Sequence, residues 1–140
     1  MKNIGMIVAV EIDAALNEFG VPIEELKLSG YPTAYIPTAV NLVNKAIEIE
    51  PTLKRVICAS ADKFIASREK KEELHNIYKA DICEMEAAGI VLTCNKNEIP
   101  CLLIKTVSDS ITGGASEFKK SINESAKICI EITRRILNNI

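Results

Sequence analysis

Residues 84–114 read EMEAAGIVLTCNKNEIPCLLIKTVSDSITGG, and this stretch decides the fold class. Glu84–Thr93 carries apolar residues at helical spacing, and Asn95–Ile99 is a turn. Cys101–Val107, CLLIKTV, is an almost continuous apolar run with one lysine, the pattern of a strand covered on both faces. A helix feeding such a strand is the repeating unit of an α/β sheet. Acids stand at the element ends: Glu86 at the start of the helical pattern, and Asp109 just past the strand. Asp109 has Ser108 before it and the Gly113-Gly114 turn after it.

Working outward, the same alternation recurs. Asn3–Val10 reads as a strand, and Glu11–Phe19 as a short helix stopped by Gly20 and Pro22. A helix begins near Thr38, an N-cap candidate, with Ala39, Leu42, Val43, Ala46 and Ile47 on one face. Arg55–Ser60 is a strand, Ser67–Tyr78 a charged helix and Asp81–Cys83 a short strand. The last helix runs from about Ser116 to Leu137, with Ile122, Ala126, Cys129, Thr133 and Ile136 along one stripe. These elements predict one three-layer αβα domain over residues 1–140, with a mostly parallel sheet of four strands. Lys27–Pro37 carries no clear element. In such sheets ligands sit beyond the carboxyl ends of the strands. Asp13, Asp62 and Asp109 each follow a strand, and Glu86 follows one closely.

Composition narrows the function classes. With 17 basic and 19 acidic residues intermixed and no basic block, neither nucleic acid nor a membrane surface is the expected partner. No segment reaches the roughly 18 apolar residues of a membrane span, and the N-terminus reads as a buried strand rather than a signal peptide. The five cysteines form no CxxC pair, and His75 is the one histidine, so no metal is expected. Reduced cysteines packed as small hydrophobes fit a cytoplasmic protein. Ser67–Leu74, SREKKEEL, alternates in charge sign and reads as a solvated helix face.

Four blocks then align in register: IGMIVAVEIDAAL near the N-terminus, ICASADKFIAS, ADICEMEAAGIVLTC, and LLIKTVSDSITGGASEF. Together they resemble the methylthioadenosine/S-adenosylhomocysteine nucleosidases of the nucleoside phosphorylase superfamily. The resemblance covers residues 1–30 and 35–140, with a junction at about 31–35. It implies hydrolysis of the bond between adenine and a 5′-thioribose, in methionine salvage, with water and no cofactor or metal. It implies that Asp109 is the general acid toward adenine N7, and that Glu86 accepts hydrogen bonds from the ribose hydroxyls. Met85 packs on the sugar, Ser108 lines the site, and Phe64 and Ile65 hold adenine through a ring and a backbone N–H. Asp13 falls where the family has a Glu that positions the attacking water. The implied partner is a small adenine nucleoside, with a second copy of the chain in a homodimer.

The chemistry is consistent with those roles. Loss of adenine builds positive charge on the ribose and negative charge on the base. One carboxyl must therefore carry a proton while the other stays ionised beside the sugar. The chain departs from the family at Asp13, one methylene shorter than Glu, at Lys105, where Arg is common, and at Ala61, usually Gly. The family's central Gly-rich block is missing between about Gly30 and Tyr35, which predicts unpaired strand edges. Two further readings stay open: a non-catalytic nucleoside-binding or oligomerising remnant, and a purine nucleoside phosphorylase. The phosphorylase is disfavoured because no Arg or Gly-rich loop is available for the phosphate.

Overall fold

The computed structural model describes residues 6–11, 35–60 and 63–140. Five strands form one sheet: β1 (Met6–Glu11), β2 (Tyr35–Ile36), β3 (Lys54–Ser60), β4 (Ile82–Glu84) and β5 (Ile104–Lys105). Strand β3 runs parallel to β1 along its whole length, from Met6↔Lys54 to Glu11↔Ala59. It also runs parallel to β4, through Cys58↔Ile82 and Ser60↔Glu84. The other edge of β1 is shared by two antiparallel strands, β5 at Met6 and Ile7 and β2 at Val10 and Glu11. The sheet is mostly parallel, as expected, and has five strands among the described residues where the sequence pattern predicted four.

The added strand, β2, comes from the stretch that carried no readable element. Two residues are too few for a visible alternation, although Ile36 is 1% exposed and anchors the core. The strand expected over Cys101–Val107 pairs only at Ile104 and Lys105. The Cys101 carbonyl instead accepts the Ala39 N–H at 2.9 Å, and the Thr106 hydroxyl donates to the Ser125 carbonyl at 3.0 Å. Those bonds satisfy backbone groups outside the ladder and tie the apolar run to two helices. Strand β4 begins one residue later than predicted. Asp81 lies just outside it, exchanging a backbone N–H with the Ile57 carbonyl at 2.8 Å and accepting the Ile57 N–H on its carboxylate at 2.9 Å.

Four helices follow the described strands: α1 (Val40–Ile49), α2 (Arg68–Tyr78), α3 (Ala87–Lys96) and α4 (Ala115–Leu137). Helix α1 starts after Ala39 rather than at Thr38, which is itself buried, because the Ala39 N–H is already committed to Cys101. Helix α2 is capped at Ser67, whose hydroxyl accepts the Lys70 N–H at 3.2 Å. It ends in a left-handed residue, Lys79 at φ 58°, whose N–H returns to the His75 carbonyl. The helix expected over Glu11–Phe19 lies outside the described residues, apart from Glu11 at the end of β1.

Strand periodicity sorts the core into layers. Val56, Cys58, Cys101 and Leu103 pack with Ala87 and Val91 of α3. Their sequence neighbours turn the other way. Leu102 and Ile104 join α1 and α4 around Val43, Ala46, Ile132 and Ile136, and Ala59 joins Leu74 of α2. Since adjacent strand residues face opposite sides, α3 covers one face and the other helices cover the second. This is the expected αβα sandwich. Each fully buried aliphatic side chain contributes roughly 1.5–3 kcal/mol. No helix among the described residues is long and apolar enough to cross a membrane.

The buried stripe of α4 is Ile128, Ile132 and Ile136, with Cys129 beside it, whereas Ile122 is 41% exposed. The stripe drawn from sequence was correct at Ile136 and Cys129 and too long toward the N-terminus. Urea titration should therefore separate two truncations on this helix. Ile136→Ala should lower stability by about 2–5 kcal/mol, and Ile122→Ala should change it by no more than about 0.5 kcal/mol.

Candidate active site

The carboxyl ends of β3 and β4 meet at the N-terminus of α3, where Ser60 and Glu84 are ladder partners. A helix N-terminus presents unpaired N–H groups and favours negative charge. Glu84 supplies both needs. Its carboxylate accepts the Glu86 N–H at 3.0 Å and the Ala87 N–H at 2.9 Å. Ser60, 1% exposed, accepts the Ala88 N–H at 3.0 Å and donates its hydroxyl to Glu84. Lys105 closes the group at 2.8 Å from Glu84. Burial alone would raise the Glu84 pKa. The hydrogen bonds from Lys105, Ser60 and the Glu86 N–H, with the Lys105 charge, outweigh it and hold the carboxyl below its ordinary range.

A second ion pair forms between α2 and the loop that follows β5. Lys71 Nζ lies 2.7 Å from Asp109 Oδ2, 2.7 Å from the Ser110 carbonyl and 3.2 Å from the Gly113 carbonyl. The other Asp109 oxygen, Oδ1, has the Ser108 hydroxyl at 3.5 Å. The turn is held from its far side by Glu117, whose Oε2 accepts the Ser110 N–H and hydroxyl, both at 2.9 Å. Glycine at 113 is a packing requirement. A Cβ there would sit 1.7 Å from Glu117 Oε2 and 3.0 Å from the Ser110 nitrogen.

The same two segments touch again at Phe64 and Phe118, whose rings cross edge-to-face with centroids 5.9 Å apart. Cys83 of β4 precedes Glu84 and feels the charges of Lys71, Asp109 and Glu84. Burial, then the two carboxylates, pushes its thiol pKa up against the opposing pull of Lys71. Among the described residues no group of three or more His, Cys, Asp or Glu is placed to hold a metal.

The residues singled out from sequence thus fall into distinct settings. Asp109 and Phe64 lie on two segments, 109–118 and 64–71, that touch through Lys71–Asp109 and Phe64–Phe118. Phe64 is 42% exposed, so its ring is open to a ligand, while Ile65 is buried against Leu74 beneath α2. Ser108 adjoins Asp109. Met85 and Glu86 are exposed at the entrance to α3, with Glu86 3.9 Å from Lys105. Asp13 and Asp62 lie outside the described residues. Lys71 was read as part of a solvated face, yet its side chain is only 11% exposed. Glu84, read as the first residue of a helix over Glu84–Thr93, ends β4 instead, and the helix runs over Ala87–Lys96.

The fold and these paired carboxylates define an α/β protein with its polar site at strand ends. Residues 6–138 match the phosphorylase superfamily, and the chain belongs to it. The aminodeoxyfutalosine nucleosidase of Campylobacter jejuni is 32% identical, over 71% of this chain and 48% of that protein. The 5′-methylthioadenosine/S-adenosylhomocysteine nucleosidase of Psychromonas ingrahamii is 31% identical, over 99% of this chain and 63% of its own. Among solved structures, the futalosine hydrolase of Helicobacter pylori superposes with a TM-score of 0.83 at 25% identity, covering all of this chain and 62% of that one. The nucleosidase of the same organism in complex with a substituted pyrrolidin-3-ol gives the same values. The chain therefore spans about half to just under two thirds of the length of these relatives.

Two measurements follow from the site geometry. Because the folded state depresses the Glu84 carboxyl, its contribution is present above the ordinary value of 4.5 and is lost as pH falls through the folded value. The stability gap between the wild type and Glu84→Gln should be full near neutrality and should narrow on acidification below about pH 4.5. A gap independent of pH would contradict this. Gly113→Ala, which must displace the Glu117 carboxylate, should cost about 1–3 kcal/mol. Gly114→Ala, with its nearest atom 3.9 Å away, should be tolerated within about 0.5 kcal/mol on thermal unfolding.

Proposed function

We propose that this chain carries the base-handling part of a nucleoside hydrolase that cleaves the N-glycosidic bond of an adenine nucleoside and releases adenine. The observation that carries the proposal is that two touching chain segments, joined at Lys71–Asp109 and Phe64–Phe118, carry Asp109 and the exposed Phe64 ring. A ring able to stack on a base, beside a carboxyl able to give that base a proton, is what departure of adenine requires.

In this reading the C1′–N9 bond breaks with its electron pair going to adenine, and N7 takes the proton from Asp109. Positive charge develops on the ribose, next to Glu86, which accepts hydrogen bonds from the sugar hydroxyls while Met85 packs on the ring. Ile65 contributes its backbone N–H to the base, and Ser108 lines the site beside Asp109. Water adds to C1′, and its proton goes to the Asp13 carboxylate. The Lys105 cation, shared between Glu84 and Glu86, ties the two carboxylates together at the start of α3. No metal or organic cofactor enters any step.

The substrate of first choice is 5′-methylthioadenosine or S-adenosylhomocysteine, as an enzyme of methionine salvage in the cytoplasm, working as a homodimer. Aminodeoxyfutalosine is the second choice, favoured by the similarity to the Campylobacter jejuni nucleosidase. Both release adenine from a 5′-substituted ribose, so one assay serves them. Chromatography should show adenine release from one of these nucleosides by the wild-type chain, and Asp109→Asn should reduce the rate by at least about 100-fold. Equal rates for the two proteins would remove Asp109 from the chemistry. Tight binding of adenine without release would favour a non-catalytic nucleoside-binding role.

A further inference from the structure

We infer that Lys71 is a positioning residue for Asp109: it fixes which carboxyl oxygen meets the base and stabilises the carboxylate left when the proton departs. The inference rests on the hydrolase reading above and deepens it at one residue that motif reasoning passes over.

An ammonium group has three N–H donors and no acceptor. Here all three have partners, namely Asp109 Oδ2, the Ser110 carbonyl and the Gly113 carbonyl, at 2.7, 2.7 and 3.2 Å. Lys71 is therefore spent entirely on the loop that carries Asp109. The side chains of the pair are 11% and 18% exposed, so bulk solvent screens the contact little. Neighbouring Lys70 makes an exposed pair with Glu73 on its own helix, at 3.1 Å. The two lysines are adjacent in sequence and differ in what they hold.

The geometry assigns the two Asp109 oxygens separate tasks. Oδ2 is committed to Lys71 at 2.7 Å. Oδ1, which among the described residues has only the long 3.5 Å contact from the Ser108 hydroxyl, is the oxygen that carries a proton toward a base. When Oδ1–H breaks and N7–H forms, Asp109 becomes an anion already in contact with a cation. That stabilisation grows as the proton leaves, so it acts on the transition state more than on the bound substrate. Lys71 also holds the Ser110 and Gly113 carbonyls, so rotation of the carboxyl is coupled to the whole turn.

The test uses the full chain with Lys71→Met, Lys71→Arg and the control Lys70→Met. Adenine release gives kcat and KM, and thermal melts give the folded fraction. Lys71→Met should lower kcat by about tenfold or more with KM within about twofold, and Lys70→Met should match wild type. Lys71→Arg keeps the charge but cannot place its planar fork on the same three acceptors, so its kcat should fall between those of Met and wild type. Wild-type kcat in Lys71→Met, or a loss no larger than its loss of folded protein, overturns the inference. If Lys71→Met does not fold, Lys71→Arg decides: a lowered kcat at constant KM supports it, and wild-type kcat overturns it. If the wild-type chain releases no adenine, the hydrolase reading fails and calorimetry with adenine decides on Lys71. Affinity about tenfold weaker in Lys71→Met and partly restored in Lys71→Arg supports positioning, and unchanged affinity refutes it.

Discussion

The buried carboxylate of Glu84 is the joint on which the rest of the site depends. It ends β4, caps α3 through two backbone N–H groups, takes a hydroxyl from the end of β3 and binds the lysine of β5. Three strands and one helix thus share a single charged group. Unpaired, that charge would be costly to bury. With its acceptor sites occupied, it fixes the distance between the sheet and the first turn of α3. Met85 and Glu86 sit at that turn, so their placement depends on Glu84.

The second ion pair works on a different principle. Lys71 and Asp109 are 38 residues apart in sequence and join a helix to a loop. The surrounding core needs only apolar residues of suitable volume in three layers, and such layers tolerate exchange. A buried ion pair does not, because loss of either partner strands the other charge. Its contribution is specificity of position more than net stability. The turn between Ser110 and Gly113 has one conformation because Lys71 holds it from one side and Glu117 from the other.

The architecture was legible where the signal is periodic and local. The helix of residues 68–78, the strand ending at Ser60 and the αβα layering follow from local spacing, whereas the helix read over Glu84–Thr93 forms three residues later, over Ala87–Lys96. Where tertiary bonds override local preference, the reading slipped. Cys101–Val107 looks like one strand, but its backbone is divided between Ala39, β1 and α4. Ile122 continues an apolar stripe along a helix whose inward face begins only near Ile128. For the site, family motifs pointed to Asp109 and Phe64, which lie on two segments that touch at Lys71–Asp109 and at Phe64–Phe118. Lys71 escaped because a lysine with acids at helical spacing has the same local pattern whether it faces solvent or a loop 38 residues away.

Cys83 gives this arrangement a means of being watched. Its thiol is partly buried, and desolvation raises its pKa. Thiol reagents attack the thiolate, so Cys83 reacts more slowly than an exposed cysteine without being closed to water. The rate at which Cys83 is alkylated then reports the surroundings of β4 beside the site. Cys58, fully buried on the opposite face of the sheet and raised further by desolvation, reports unfolding of the sheet. Two native cysteines at different depths make the chain its own gauge of local change against global unfolding.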